Sequence, residues 1–65
     1  MKIEMNGEWR QIAAEDLAAA LEELGLGEAV VATALNGEFV PAGSRQGARL
    51  ADGDRLEVLS PMQGG

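Results

Sequence analysis

The sequence predicts a small α+β domain in which a mixed sheet of four to five strands packs on one helix, in the order β-β-α-β-β-β. Three observations predict this fold: short segments of alternating polarity, two Asn-Gly dipeptides that mark hairpins, and one segment with leucines at helical spacing. One helix covers only one face of a sheet, which fits strands that each have one apolar face. With 65 residues, the chain forms a single domain.

The first segment predicts a hairpin. Residues 1–5 alternate in polarity, and the Asn-Gly dipeptide at 6–7 suits a type I′ turn, whose two central residues both need positive φ. A two-residue turn pairs Glu4 with Trp9 in the returning strand at 8–12. This register puts Trp9 on the outer face of the sheet, whereas a turn of odd length would send it inward.

Residues 13–24 change to the period of a helix. Leu17 and Leu21 fall one turn apart on the same face, which we expect to pack on the sheet. Asp16 is suited to cap the first turn, and Gly25 is suited to end the helix in the left-handed conformation.

The second half of the chain predicts three more strands. Residues 30–35 and 38–40 flank the second Asn-Gly dipeptide, residues 42–48 are predicted to form a loop, and residues 55–60 form the last strand. If the last strand runs beside the first, it lies centrally in the sheet, and the residues after it leave from a rigid element.

Composition excludes several classes of function. Without cysteine or histidine, the chain has no Cys or His nucleophile, and a metal site is disfavoured. The net charge of −6 disfavours nucleic acids and anionic membranes, and it favours either a basic partner or simple solubility. No apolar run is long enough to span a membrane, and no signal peptide opens the chain. We expect a cytoplasmic protein that is not itself an enzyme.

Residues 61–65 are predicted to form a flexible tail after a domain of residues 1–60. Pro61 ends the last strand because proline has no N–H to donate to a sheet. Gly64 and Gly65 have no Cβ, so this end is thin enough to thread a narrow channel and presents an unhindered carboxylate. An ordinary disordered chain end has the same composition.

The order and spacing of these motifs resemble the ThiS family of sulfur carriers in thiamine biosynthesis. The resemblance covers nearly the whole chain and rests on MKIEMNGE at 1–8, DLAAALEELGL at 16–26, VATALNGEFVP at 31–41, LADGDRLEV at 50–58 and the terminal diglycine. It implies the ubiquitin-like β-grasp fold. Two features depart from the family pattern: the loop at 42–48 is richer in small residues, and Trp9 stands where smaller or charged residues are usual.

The resemblance also implies a reaction at Gly65. An E1-like adenylating enzyme of the ThiF type would adenylate its carboxylate with ATP, and sulfur from a source such as a cysteine desulfurase would then replace AMP. The resulting thiocarboxylate would donate its sulfur to a thiazole synthase of the ThiG type. Met62, Gln63 and Gly64 would thread the enzyme channel. The chain itself would bind no cofactor, since the partner enzyme consumes the ATP.

The outer face of the sheet, beside the tail, is the predicted partner surface. Its apolar members are small residues next to a few large ones, a composition that often marks interfaces. Acidic residues near it would add charge pairing with a basic partner. The predicted surface comprises Leu59, Ala32, Ala34, Trp9, Asp52, Asp54 and Glu57. Scattered exposed apolar side chains and a solvated acidic turn would give the same pattern without any partner.

Three alternative functions remain open. A molybdopterin-type sulfur carrier has the same fold and diglycine end, but is usually longer and more aromatic before the tail. A ubiquitin-like protein modifier would join Gly65 to lysines and would be detected as isopeptide adducts. A β-grasp interaction module would have an inert tail.

Overall fold

The computed structural model describes residues 1–60. The elements are β1 (Lys2–Met5), β2 (Glu8–Gln11), α1 (Leu17–Glu23), β3 (Ala32–Leu35), β4 (Glu38–Val40), a 3-10 helix (Ala42–Gly47) and β5 (Arg55–Leu59). The strands form one sheet in the order β2-β1-β5-β3-β4. The sheet is mixed, because β5 is parallel to β1 and antiparallel to β3. The predicted class, element order and central position of the last strand are therefore confirmed.

Both Asn-Gly dipeptides form the predicted turns. Asn6 and Asn36 have φ values of 50° and 52°, and the glycines that follow them have φ values of 86° and 87°. Positive φ at both central residues is what a type I′ turn requires. Glu4 pairs with Trp9 across the first hairpin, which confirms the predicted register and the outward position of Trp9.

The helix begins later than the sequence period predicts. The helical period starts at residue 13, but α1 begins at Leu17 because Asp16 has extended φ and ψ values of −132° and 166°. The Asp16 Oδ1 atom accepts the backbone N–H of Ala19 at 2.8 Å, the predicted cap. Residues 13–14 are held instead by Glu23, whose carboxylate oxygens accept their two N–H groups at 2.9–3.0 Å.

The helix is terminated as predicted by Gly25, which follows the C-cap Leu24 and has a left-handed φ of 83°. Its N–H donates to the carbonyl of Glu22 at 3.0 Å, and the N–H of Leu26 donates to the carbonyl of Leu21 at 2.7 Å. These two bonds are the pattern of a Schellman motif. Leu26 consequently folds back against the core.

The hydrophobic core lies between α1 and the inner face of the sheet. Its buried members come from the strands, the helix and the segments that flank them: Ile3, Ile12, Leu17, Ala20, Leu21, Leu50, Leu56 and Val58. Leu56 and Val58 point inward from β5, whereas Glu57 and Leu59 are exposed. This alternation agrees with the sequence prediction, and it leaves the outer face of the sheet uncovered by α1.

The predicted loop at residues 42–48 was wrong in part, because Ala42–Gly47 forms a 3-10 helix. Arg45 joins this helix to the sheet. Its Nη2 donates to the carbonyl of Val31 at 2.7 Å, and its Nε donates to the Thr33 hydroxyl at 3.2 Å. Small residues alone predict a loop at this position. The 3-10 helix is instead held by the contact of the Arg45 side chain with a strand distant in sequence, which local composition does not predict.

Candidate functional site

The tail continues from the centre of the sheet. β5 lies between β1 and β3, and its last residue, Leu59, pairs with Ala32. The predicted sulfur-carrying residue and the predicted threading residues lie outside the described residues; they are Gly65, Gly64, Gln63 and Met62. The structure therefore describes the surface from which the tail starts, and the candidate site is built on that surface.

Four apolar residues form a contiguous patch on the outer face beside this point, which we call the outer patch: Ala32, Ala34, Phe39 and Leu59. The strand register brings them together, because Ala32 pairs with Leu59 and Ala34 pairs with Phe39. Phe39 and Leu59 are each 68% exposed. The exposed side chains of Leu59 and Phe39 stand on either side of the two alanines of β3. Such an exposed apolar arrangement is suited to contact with another protein.

The outer patch lines a shallow depression with a volume of about 320 Å³. The rest of its wall comprises Glu4 from β1, Asn6 and Gly7 from the first turn, Thr33 from β3, and Arg55 and Glu57 from β5. Glu57 lies next to the patch because it pairs with Ala34. The depression therefore has an apolar side on β3 and β4 and a charged side toward β1.

Trp9 lies on the outer face but outside this depression. It is 58% exposed and sits on the edge strand β2, where its neighbour across the hairpin is Glu4. β1 and β5 therefore lie between Trp9 and the alanines of β3. The sequence grouped Trp9 with the alanines and Leu59, whereas the structure places it on the same face at the opposite edge.

Asp52 and Asp54 lie at the other end of β5 from Leu59. The Asp52 Oδ1 atom accepts the N–H of Lys2 at 2.7 Å, and the Asp54 Oδ2 atom accepts the N–H of Ala51 at 2.8 Å. Both carboxylates thus bind the backbone around the turn that leads into β5. Of the three predicted acidic residues, the structure brings only Glu57 to the outer patch.

Sequence reasoning missed two residues of this site. Phe39 could have been identified, because a two-residue turn after Leu35 pairs Phe39 with Ala34, which was already assigned to the outer face. Asn6 was interpreted only as a turn residue. Its side chain binds the backbone of Val58, and no sequence pattern reports a contact between residues so far apart.

Within residues 1–60, no group of three or more histidine, cysteine, aspartate or glutamate side chains could hold a metal ion. In the same part of the chain, no helix is both long and apolar enough to cross a membrane. The described surface beside the start of the tail offers apolar area and charged side chains.

Comparison with known proteins adds a family and two solved structures. A sequence model of the ThiS family matches residues 3–65. The crystal structure of the thiamine biosynthesis protein (ThiS) from Geobacter metallireducens is similar over all of both chains, with a TM-score of 0.84 and 30% identity. The solution structure of a thiamine biosynthesis protein from the same organism has a TM-score of 0.77 and 26% identity, over all of this chain and 88% of that one.

A longer protein is also similar in sequence. A thiazole synthase from Paramagnetospirillum magneticum is 39% identical over 66 residues, which cover all of this chain and 20% of that protein. The chain therefore spans about a fifth of the length of this relative.

Proposed function

Because the chain belongs to the ThiS family, we propose that it is a sulfur carrier of thiamine biosynthesis that works through the carboxylate of Gly65. The observation that carries the proposal is the extent of the family match, which runs from residue 3 through both terminal glycines. The similarity to a thiamine biosynthesis protein over the full length of both chains supports the same pathway. In this role the chain is a substrate of its partner enzymes.

The proposed chemistry converts an unreactive carboxylate into a sulfur donor. In an E1-like adenylating enzyme of the ThiF type, an oxygen of the Gly65 carboxylate attacks the α-phosphorus of ATP, and pyrophosphate leaves. The mixed anhydride has an electrophilic carbonyl, because AMP is a good leaving group. The terminal sulfur of a persulfide, formed by a cysteine desulfurase, attacks this carbonyl, and AMP leaves. A second thiol of the sulfur-delivering enzymes then reduces the acyl disulfide: it forms a disulfide with the cysteine that carried the persulfide and releases the thiocarboxylate on Gly65.

The partner enzymes would dock on the outer patch. Leu59 lines the depression and is also the last residue of β5, so a partner that covers the patch would meet the start of the tail at once. Phe39 and Leu59 offer apolar area, and desolvated aromatic and aliphatic anchors dominate the energy of many interfaces. Glu57 and the net charge of −6 would favour a partner with basic residues around its apolar pocket.

A thiazole synthase of the ThiG type is the proposed acceptor of the sulfur. The supporting observation is the relative from Paramagnetospirillum magneticum, a thiazole synthase in which a fifth of the length is similar to this whole chain. If the similar segment of that protein is a sulfur carrier, the carrier and the synthase are joined in one chain and would react with each other. This supports a thiazole synthase as the partner of the present chain.

Transfer of labelled sulfur tests the proposed destination. The chain is prepared with a radiolabelled thiocarboxylate at Gly65, for example by cleaving an intein fusion with labelled sulfide. It is then incubated with a thiazole synthase and the other substrates of that enzyme. We expect the label to appear in the thiazole product. The matched control carries the ordinary carboxylate at Gly65 together with free labelled sulfide.

Two other results would redirect the proposal. Transfer of the label by a molybdopterin synthase, with no transfer by the thiazole synthase, would assign the carrier to the molybdopterin pathway. Amide bonds between Gly65 and lysines of other proteins in cell extracts would assign the chain as a protein modifier.

A further inference from the structure

The side chain of Asn6 binds both backbone polar groups of Val58. Its Nδ2 donates to the carbonyl of Val58 at 3.0 Å, and its Oδ1 accepts the N–H of Val58 at 2.9 Å. The backbone N–H of Asn6 also donates to the carbonyl of Leu56 at 3.0 Å. A carboxamide carries the same donor and acceptor as a peptide group, so it can take the place of a strand residue.

This contact compensates for the early end of β1. The parallel pairing of β1 with β5 comprises Glu4 with Arg55 and Met5 with Leu56, and the chain then turns away into the first hairpin. On this side, the backbone of Val58 has no strand beside it. The Asn6 side chain fills the position and extends the ladder to the residue that precedes Leu59.

The end of β5 is consequently held on both sides. β3 holds one side through the pairing of Ala32 with Leu59, and Asn6 holds the other side at Val58. Four residues lie between Ser60 and Gly65. Because this connection is so short, the position and direction in which β5 ends limit where Gly65 can go.

We propose that Asn6 is a positioning residue for the tail: by fixing Val58, it sets the point and the direction from which the tail reaches the ATP site of the adenylating enzyme. This inference rests on the proposed function of Gly65. Asn6 acts through Val58 and touches no reacting atom. The Asn6 side chain would increase the fraction of enzyme-bound carriers in which the Gly65 carboxylate is aligned with ATP. Alignment of the two reacting groups governs the rate of adenylation within the complex.

The chain contains a matched control for this role, Asn36. It has the same place in a turn of the same kind, and its Oδ1 accepts the N–H of Arg55 at 2.9 Å. Asn36 therefore anchors β5 with the same chemistry, but at the start of the strand, far from the tail. Replacing either asparagine by glycine preserves the positive φ of the turn and removes only the side chain.

The experiment compares Asn6→Gly with Asn36→Gly in the full chain. Amide hydrogen exchange by NMR reports whether Val58 is released, and steady-state kinetics with the adenylating enzyme report kcat and KM separately. For Asn6→Gly we expect exchange at Val58 about tenfold faster and kcat about tenfold lower. The change in KM should be smaller than the change in kcat, because the four residues of the outer patch are kept although Asn6 also lines the depression. For Asn36→Gly we expect both Val58 exchange and kcat to stay close to the wild-type values.

A third variant, Asn6→Asp, keeps the acceptor for the Val58 N–H and loses the donor, so its kcat should lie between those of the wild type and Asn6→Gly. Protected exchange at Val58 in Asn6→Gly, or an equal loss of kcat in both glycine variants, would overturn the positioning role. A wild-type chain that its adenylating enzyme does not accept would overturn the proposed function and the role of Asn6 in it. The exchange data, which need no enzyme, separate the two failures.

Discussion

Thr33 is the one buried polar residue among residues 1–60, with 1% of its surface exposed. Its hydroxyl donates to the carbonyl of Val40 at 2.9 Å and accepts the Nε–H of Arg45 at 3.2 Å. One hydroxyl thus joins β3, β4 and the 3-10 helix. In the described part of the chain, no buried side-chain polar atom lacks a hydrogen-bond partner, so this interior has little tolerance for losing one.

Thr33→Val should lower the free energy of unfolding. The two side chains have nearly the same shape, but valine leaves the Val40 carbonyl and the Arg45 guanidinium each short of a partner. We expect a loss of about 1–3 kcal/mol, measured by urea denaturation. Thr33→Ser keeps the hydroxyl and should lose less. A valine variant as stable as the wild type would show that the hydroxyl contributes nothing.

Gly64→Val should block adenylation and leave the fold intact. The side chain adds width and a β-branch to a segment that we propose threads a narrow channel, and it restricts the backbone that glycine leaves free. The measurement is ATP–pyrophosphate exchange with the adenylating enzyme, with an NMR spectrum of the variant to verify the fold. Gly47→Val, at a surface glycine with open space around its Cα, is the control. Normal adenylate formation by Gly64→Val would refute the channel argument.

The outer patch gives a prediction about the end of β5, after which the tail follows. Leu59→Arg should weaken binding to the adenylating enzyme by about 1–3 kcal/mol, because it places a charge where an apolar contact is proposed. The domain should stay folded, since Leu59 is already exposed. The effect should appear mainly in KM, in contrast to the effect on kcat expected for Asn6→Gly.

Val30→Arg is the matched control for the patch variant. Val30 is 79% exposed and does not line the depression, so this variant makes the same change of net charge without touching the outer patch. Any general loss of affinity for the adenylating enzyme that comes from the less negative net charge is then the same in both variants. Equal affinities of Leu59→Arg and the control would remove Leu59 from the interface.

The strands and turns were predictable because their causes are local. Positive φ at Asn6 and Asn36 follows from the Asn-Gly dipeptides, and the inward positions of Leu56 and Val58 follow from alternation. The helical period alone placed the start of α1 too early, at residue 13, whereas the predicted cap at Asp16 gives the observed start at Leu17. The 3-10 helix was missed because the Arg45 side chain anchors it to a segment distant in sequence.

The candidate site was predictable only where register decides it. Ala32, Ala34 and Leu59 were placed on one face by alternation alone, and Phe39 follows from the same register. Asp52 was grouped with them by nearness in sequence, but the length of β5 separates it from Leu59. The anchor between Asn6 and Val58 could not be predicted, because it depends on where β1 ends beside β5 in the folded sheet.

The parallel pairing of the first and last strands also separates reactive groups across the domain. Lys2, the only lysine of the sequence, lies near the start of β5, where its carbonyl accepts the N–H of Gly53 at 2.7 Å. The amino group of Met1 is at the same end and donates to the carbonyl of Ile12 at 2.8 Å. The tail follows the opposite end of β5. With no cysteine in the sequence, no thiol of its own would be available to attack the proposed acyl-adenylate of Gly65.

The intact mass of the chain tests thiocarboxylate formation at Gly65 most directly. The chain is incubated with ATP, its adenylating enzyme and a sulfur source, and its mass is compared with that of a sample without ATP. We predict an increase that equals the replacement of one oxygen by one sulfur, located at Gly65 by fragmentation of the terminal peptide. An unchanged mass, with an enzyme that modifies a known carrier in a parallel reaction, would contradict the assignment of Gly65 as the sulfur-carrying residue.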